Sequence, residues 1–254
     1  MIEELTLLYR DDRIAAFNKP SGLLVHRSYI DRTETRFALQ MARDLLGQRV
    51  YPVHRLDKPT SGVLLFALSP EDAAILTGAF TAGMVRKRYL GVCRGTAPEN
   101  GTIDHPLLEE QDRHDPYRQE GKEPQQAVTT YRRLAGIELP FAVGRYPSSR
   151  YSLIEAEPLT GRRHQIRRHF KHIFHPLVGD VNYGEGRHNR FFREEFNCCR
   201  LLLHAAELSI PHPADGRATH FSAPLDSAFK DLLRHFNWST SVEEISHLGV
   251  HRYY

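Results

Sequence analysis

The densest chemistry in the sequence is the run His54-Arg55-Leu56-Asp57-Lys58-Pro59-Thr60-Ser61-Gly62, followed at once by the apolar stretch 63–68. Pro59 and Gly62 enforce a tight turn. A turn beside a buried strand can hold a carboxylate and a guanidinium at the edge of a rigid sheet. A carboxylate held there has the makings of a nucleophile or a proton acceptor. By residue type alone the same run also reads as an ordinary polar turn. The second concentration is residues 158–175, where Arg162, Arg163, Arg167, Arg168 and Lys171 occur with no Asp or Glu among them. Like charges repel one another unless they face a polyanion, so this segment reads as a phosphate-contacting helix, with a solvated basic face as the alternative. His164, His169, His172 and His175 lie in the same stretch. His169 and His172 are one helical turn apart, but no carboxylate joins them and the arginines oppose a dication, so no metal site is expected.

These groups need a scaffold. Residues 5–9 and 13–18 flank Asp11-Asp12 and read as a hairpin entering the loop Lys19-Pro20-Ser21-Gly22. Phe37, Met41 and Leu45 recur at helical spacing over 35–46, with Gly47 as the stop. The run 63–68 reads as a buried strand. Ser69-Pro70-Glu71-Asp72 is a cap, a proline and two acids, opening a helix that ends near Gly83. Residues 88–94, 128–134, 151–157 and 201–208 read as further strands, and 226–236 as a final helix. Strands outnumber helices without alternating with them, which predicts an α+β fold whose sheet is largely antiparallel or mixed. Residues 104–124 are polar and turn-rich and read as a flexible excursion, and 240–254 are weakly patterned.

HRLDKPTSG resembles the active-site motif of the RluA family of pseudouridine synthases, and the other motifs follow in that family's order. Asn18-Lys19-Pro20-Ser21-Gly22 is similar to its first motif, Lys87-Arg88-Tyr89 to its basic-plus-tyrosine strand, and Gly161-Arg162-Arg163-His164-Gln165-Ile166-Arg167 to its third motif. Gly179-Asp180 with Tyr183-Gly184, and Arg200-Leu201-Leu202-Leu203-His204-Ala205, complete the set. The stretch 144–151 and Val25-His26-Arg27-Ser28 look most like the members that act on tRNA.

The resemblance implies one pseudouridine synthase catalytic domain over 1–254, with its motif core at about 5–236, and no N-terminal S4-type RNA-binding domain. It further implies a cofactor-free enzyme that isomerises a uridine in tRNA, at uridine 65 near the junction of T-stem and acceptor stem. A synthase acting on ribosomal RNA and a non-catalytic RNA-binding protein are the alternatives. On this pattern Asp57 is the catalytic carboxylate, Arg167 the cation that keeps it ionised, and Tyr89 the ring that stacks on the target base and takes part in proton transfer. Arg55 fills the gap left by the flipped base, and Leu202 and Leu203 help to line the uracil pocket. Arg162, Arg163, Arg168 and Lys171 remain for RNA phosphates. Whether Asp57 attacks the sugar C1′, attacks the pyrimidine C6 or removes a sugar proton stays open.

Composition sets outer limits. The longest apolar runs, 63–68 and 201–203, are far shorter than the roughly 20 residues of a membrane helix, so no membrane partner is expected. Met1-Ile2-Glu3-Glu4 carries acids where a secretory signal carries bases, which predicts a cytoplasmic protein, and a monomer is expected. Cys93, Cys198 and Cys199 form no CxxC pair and suggest neither a disulfide framework nor a thiolate zinc site. A net charge of +3 is weak evidence for a polyanionic partner, so the clustering of charge matters more than its total.

Overall fold

The structure, a computed structural model, describes residues 4–26, 34–109 and 123–239. Arg27 and Ser28, most of the expected excursion at 104–124, and the terminal 240–254 lie outside the described residues. The first hairpin is β1 (Thr6–Arg10) and β2 (Ile14–Lys19), paired antiparallel. Helix α1 (Ala38–Leu46) starts later than its periodicity predicts, because Phe37 is still extended at φ −134° and bridges to Leu24. It stops where expected, at Gly47 in the left-handed region. After a short β3 (Tyr51–Pro52), every residue of β4 (Ser61–Ala67) is buried, as a continuous apolar run requires of a central strand. Helix α2 (Pro70–Thr81) is opened by the Ser69 side chain, which accepts from the Asp72 amide at 3.0 Å.

Strand β5 (Arg86–Arg94) is followed by β6 (Asn100–Asp104), β7 (Val128–Leu139) and β8 (Ser149–Pro158). β7 runs well past its predicted end at residue 134, since a bulge between Arg133 and Ala135 interrupts the alternation while pairing with β8 continues to Leu139. Helix α3 (Gln165–His172) carries Arg167, Arg168 and Lys171, whereas Arg162 and Arg163 lie in the turn before it. Helix α4 (Gly186–Phe196), strand β9 (Leu203–Pro211), β10 (Ala218–Ser222) and helix α5 (Ser227–His235) complete the order.

Among the described residues the strands form one mixed sheet of ten in the order β1-β2-β4-β9-β5-β8-β7-β6, with β3 on β4 and β10 on β9. Pairing is antiparallel throughout except where Ser61 and Gly62 meet His204 and Ala205 in parallel. That short contact joins the two halves of the sheet. Alternation divides the core by face: Leu64, Phe66 and Ala205 pack with α1, and Leu203, Ile154 and Ala156 with Ile166 and Phe170 of α3. On the other face, Val63 and Leu65 pack with α2, and Val92 and Leu202 with Phe192 of α4 and Phe229 of α5. The α+β, mostly antiparallel reading holds.

The junction carries a buried polar chain. The Arg200 guanidinium donates to Ser61 Oγ at 2.8 Å and pairs with Asp226, the N-cap of α5. Ser61 Oγ lies 2.7 Å from His204 Nδ1, and His204 Nε2 lies 3.0 Å from the Ala223 carbonyl. A carbonyl can only accept, so Nε2 donates to it and Nδ1 accepts from the serine. Burial pushes the His204 pKa down to about 4. In the unfolded chain the same imidazole titrates near ~6.5. The unfolded state therefore takes up a proton that the folded state refuses, and stability falls as pH drops from ~6.5 to ~4. The contribution is roughly 3 kcal/mol. In His204→Gln the decline of unfolding free energy over this window should be shallower by about one proton, measured by denaturant titration at several pH values. An unchanged slope would contradict the neutral-imidazole reading.

Candidate active site

Asp57 stands in a turn closed by the Thr60 amide donating to its carbonyl at 3.0 Å. The turn is fixed from several directions. His54 Nε2 accepts from the Leu65 amide at 2.9 Å while its ring stacks on Phe80, and burial holds that imidazole neutral with a pKa of about 3. Gly22 N–H donates to the Lys58 carbonyl at 2.8 Å, and Ser21 Oγ to the Pro59 carbonyl at 2.8 Å. Lys19 is fully buried, and its ammonium donates to the carbonyls of Pro20, Leu23 and Lys58 at 2.9, 2.7 and 3.2 Å. Burial draws the Lys19 pKa down to about 7, with the Asp57 carboxylate opposing that shift. Gly62, at φ +114°, admits no side chain, since a Cβ there would meet the Ala205 carbonyl oxygen at 2.1 Å.

The Asp57 side chain is 19% exposed, enough to be reached from outside. Arg167 of α3 donates Nη1–H to its Oδ2 at 3.1 Å. The same guanidinium, 3% exposed, grips Asp180 with Nε–H on Oδ2 at 2.7 Å and Nη2–H on Oδ1 at 2.9 Å. Asp180 Oδ1 also accepts the amides of Asn182 and Tyr183 at 2.9 and 3.0 Å. Burial alone would lower the arginine's pKa and raise the aspartate's. The bidentate bond and opposite charge reverse both shifts, so the pair stays ionised. Gly179 beforehand is at φ +79°, and a Cβ would strike the Arg200 carbonyl oxygen at 1.9 Å.

Tyr89 is partly buried and packs against both the α1 and the α3 clusters, on the sheet face that carries Leu203. Burial first, then the Asp57 charge, raises its pKa, so the phenol stays protonated and is not a ready base. The two leucines part company: Leu203 shares the Tyr89 cluster, whereas Leu202 is fully buried on the opposite face with Val92, Phe192 and Phe229. Leu202 is core there and does not reach the side where Tyr89 stands, because adjacent residues of an extended chain point to opposite faces. Arg55 is exposed two residues before Asp57.

Of the basic set, Arg162 and Lys171 are exposed, and Arg163 and Arg168 are half-buried. Arg162 Nε donates to the Gln126 carbonyl at 3.0 Å and Arg168 Nη1 to the Leu108 carbonyl at 2.8 Å, so both also secure the chain between β6 and β7. Both ring nitrogens of His169 have protein partners, Thr129 Oγ1 at 2.9 Å and the His105 carbonyl at 3.1 Å, and His172 stacks on His105. Sequence reasoning placed Lys19, His164 and Asp180 inside motifs but did not assign Asp180 as the anchor of Arg167, Lys19 as a brace of the turn, or His164 a place beside Asp57. One signal for Asp180 was present: it is the first acidic residue after the acid-free stretch 158–175, within the Gly179-Asp180 motif.

Asp180→Ala should leave the Arg167 guanidinium buried with only Asp57 opposite, and breaking such a pair costs about 3–5 kcal/mol. Chemical denaturation should show that loss, whereas Asp57→Ala, which leaves the bidentate pair intact, should cost far less. Equal losses in the two variants would contradict the ranking of the two bonds.

Residues 13–172 match the family model described as RNA pseudouridylate synthase. A protein of Pectobacterium carotovorum subsp. carotovorum named tRNA pseudouridine synthase C is 48% identical over 94% of this chain, which spans 64% of that relative's length. A protein of the same name from Vibrio parahaemolyticus is 46% identical, covering 94% of this chain and 98% of its own. Among solved structures, human RNA pseudouridylate synthase domain containing 1 aligns with a TM-score of 0.65 at 25% identity, over 93% of this chain and 96% of that one. The match spans the strand-turn-helix segments that bring Asp57, Tyr89 and Arg167 together, and on it the chain belongs to the RNA pseudouridylate synthase family.

Proposed function

We propose that this protein converts a uridine of tRNA to pseudouridine, with Asp57 as the reacting carboxylate. The observation that carries the reading is a reachable aspartate held by a buried, doubly anchored arginine beside a partly buried tyrosine, in a chain whose relatives are named tRNA pseudouridine synthase C. The reaction breaks the bond from uracil N1 to the sugar, turns the base and joins C5 to the sugar instead; C5 gives up a proton and N1 gains one. It is an isomerisation, so its balance calls for no outside oxidant, reductant or group donor. Asp57 acts on the sugar C1′, on the pyrimidine C6 or on a sugar proton, and on each route Arg167 holds the carboxylate in place from one side. Tyr89 stacks on the flipped base and offers a hydroxyl hydrogen. Arg55, exposed two residues before Asp57, fills the vacated stack.

Phosphates of a folded RNA meet Arg162, Arg163, Arg168 and Lys171 around the start and outer side of α3, a surface suited to reading shape and backbone. Uridine 65, at the junction of T-stem and acceptor stem, is the target that fits the likeness to the tRNA-acting relatives. One sheet threads the described segments, which supports a single catalytic domain. No helix among the described residues is long and apolar enough to cross a membrane. A non-catalytic RNA binder would have little use for a shielded carboxylate facing a phosphate backbone.

Asp57→Asn should abolish pseudouridine formation with fold and most RNA affinity intact; residual turnover within about tenfold of wild type, a loss of only ~1.4 kcal/mol, is too small for a reacting carboxylate. Tyr89→Phe should bind tRNA like wild type, and an equal rate would confine Tyr89 to stacking. Neutralising Arg162, Arg163 and Lys171 together should weaken tRNA binding at every sequence alike and reduce the log-log salt slope by roughly 0.7 to 0.9 per lost phosphate contact, with the rate at saturation nearly kept. Efficient modification of ribosomal RNA fragments with tRNA ignored would move the target, and an unchanged salt slope would make the basic segment a solvated face.

A further inference from the structure

His164 is a non-glycine residue in the left-handed region, at φ 55° and ψ 26°, immediately before α3. An N-cap position normally offers its side chain to the helix amides, yet His164 makes no such cap bond. Its ring is turned the other way. Nδ1 lies 2.8 Å from Tyr183 Oη, and Nε2 lies 3.9 Å from Asp57 Oδ1, the carboxylate oxygen that Arg167 does not take in its 3.1 Å bond to Oδ2. Tyr183 is itself pinned, its amide on Asp180 and its ring under the Arg167 guanidinium at 5.0 Å. The imidazole is therefore carried by the same Asp180 assembly that fixes Arg167, and its side chain is only 12% exposed.

Two of the groups beside this ring, the Tyr183 hydroxyl and the Asp57 carboxylate, bear on where its proton sits. If Nδ1 carried the hydrogen, the Nε2 lone pair would face a carboxylate, which is repulsive. If the Tyr183 hydroxyl donates to Nδ1, Nε2 carries the hydrogen and presents a donor to Oδ1. At 3.9 Å this is not a hydrogen bond, but a shift of about an ångström makes one. A backbone conformation that glycine adopts more cheaply is retained at such a site when the side chain is needed there.

We propose that His164 is a positioning residue for Asp57: as the uridine enters, its Nε2–H closes on Oδ1 and, opposite Arg167, fixes the plane of the carboxylate toward the reacting atom. The proposal rests on the functional reading above. Because His164 faces the Asp57 carboxylate, the proposal assigns its effect to the rate at saturation rather than to affinity.

The test is His164→Gly, which suits the backbone and removes only the imidazole. It should melt no lower than wild type and bind tRNA with a Kd within threefold. Its single-turnover rate of pseudouridine formation should fall by roughly 100-fold, the scale of an ångström misplacement at a reacting group. Added imidazole should restore part of that rate in His164→Gly and none in Asp57→Asn. His164→Asn, which also tolerates the left-handed region, should remain slow because its amide is too short to reach Oδ1. A His164→Gly rate within threefold of wild type, or a loss that imidazole leaves untouched, overturns the proposal and returns His164 to a backbone role. Wild type that forms no pseudouridine in the same assay overturns the functional reading as well, which separates the two failures.

Discussion

One guanidinium between two carboxylates organises the site. Arg167 is too deeply placed to be charged without partners, and Asp180 supplies a bidentate one that is itself held by two backbone amides. With two of its nitrogens committed to Asp180, the guanidinium cannot turn, and its third nitrogen is aimed at Asp57. The cost of burying these charges is met by bonds inside the assembly, so the arrangement stands before any substrate arrives. Asp57 belongs to the chain before β4 and Arg167 to the helix after β8, so the bond between them ties the two halves of the sheet together.

The same junction is closed by backbone contact. Gly62 lies against the Ala205 backbone with no room for a methyl group, and the loop at Lys19 is tied to the Asp57 turn by its amide, hydroxyl and ammonium donors. A buried lysine that spends its three hydrogens on carbonyls is a brace for that turn. Lys19 is fully buried, and that burial, against the pull of Asp57, draws its pKa down to about 7. A carboxylate mounted on such a rigid turn can be aligned to within the fraction of an ångström that covalent chemistry needs.

The basic segment divides its work. Arg167 faces inward and is neutralised internally, Arg162 and Arg168 hold the carbonyls of Gln126 and Leu108, and Lys171 sits exposed above the Tyr183 ring. Charge counting along the chain treats these as one patch. In space they are a site cation, two clamps on a neighbouring loop and an outward charge, and only those that still face solvent can exchange counterions for phosphate.

Much of this was legible along the chain. The α+β class, the buried strand at 63–68 and the helix opened by Ser69-Pro70 follow from periodicity and capping, because those signals are local. The resemblance carried by HRLDKPTSG and the third motif paired Asp57 with Arg167 across more than a hundred residues. Only the tertiary structure decided what pairing and packing decide: that Asp180 anchors Arg167, that His54 and Lys19 brace the loop, that Leu203 and Leu202 face opposite ways, and that His164 turns its ring toward Asp57. A motif gives residue types and order. It does not give the direction of a side chain, because strand register, a bulge between Arg88 and Tyr89 and a left-handed residue before α3 set that direction through contacts far away in the chain.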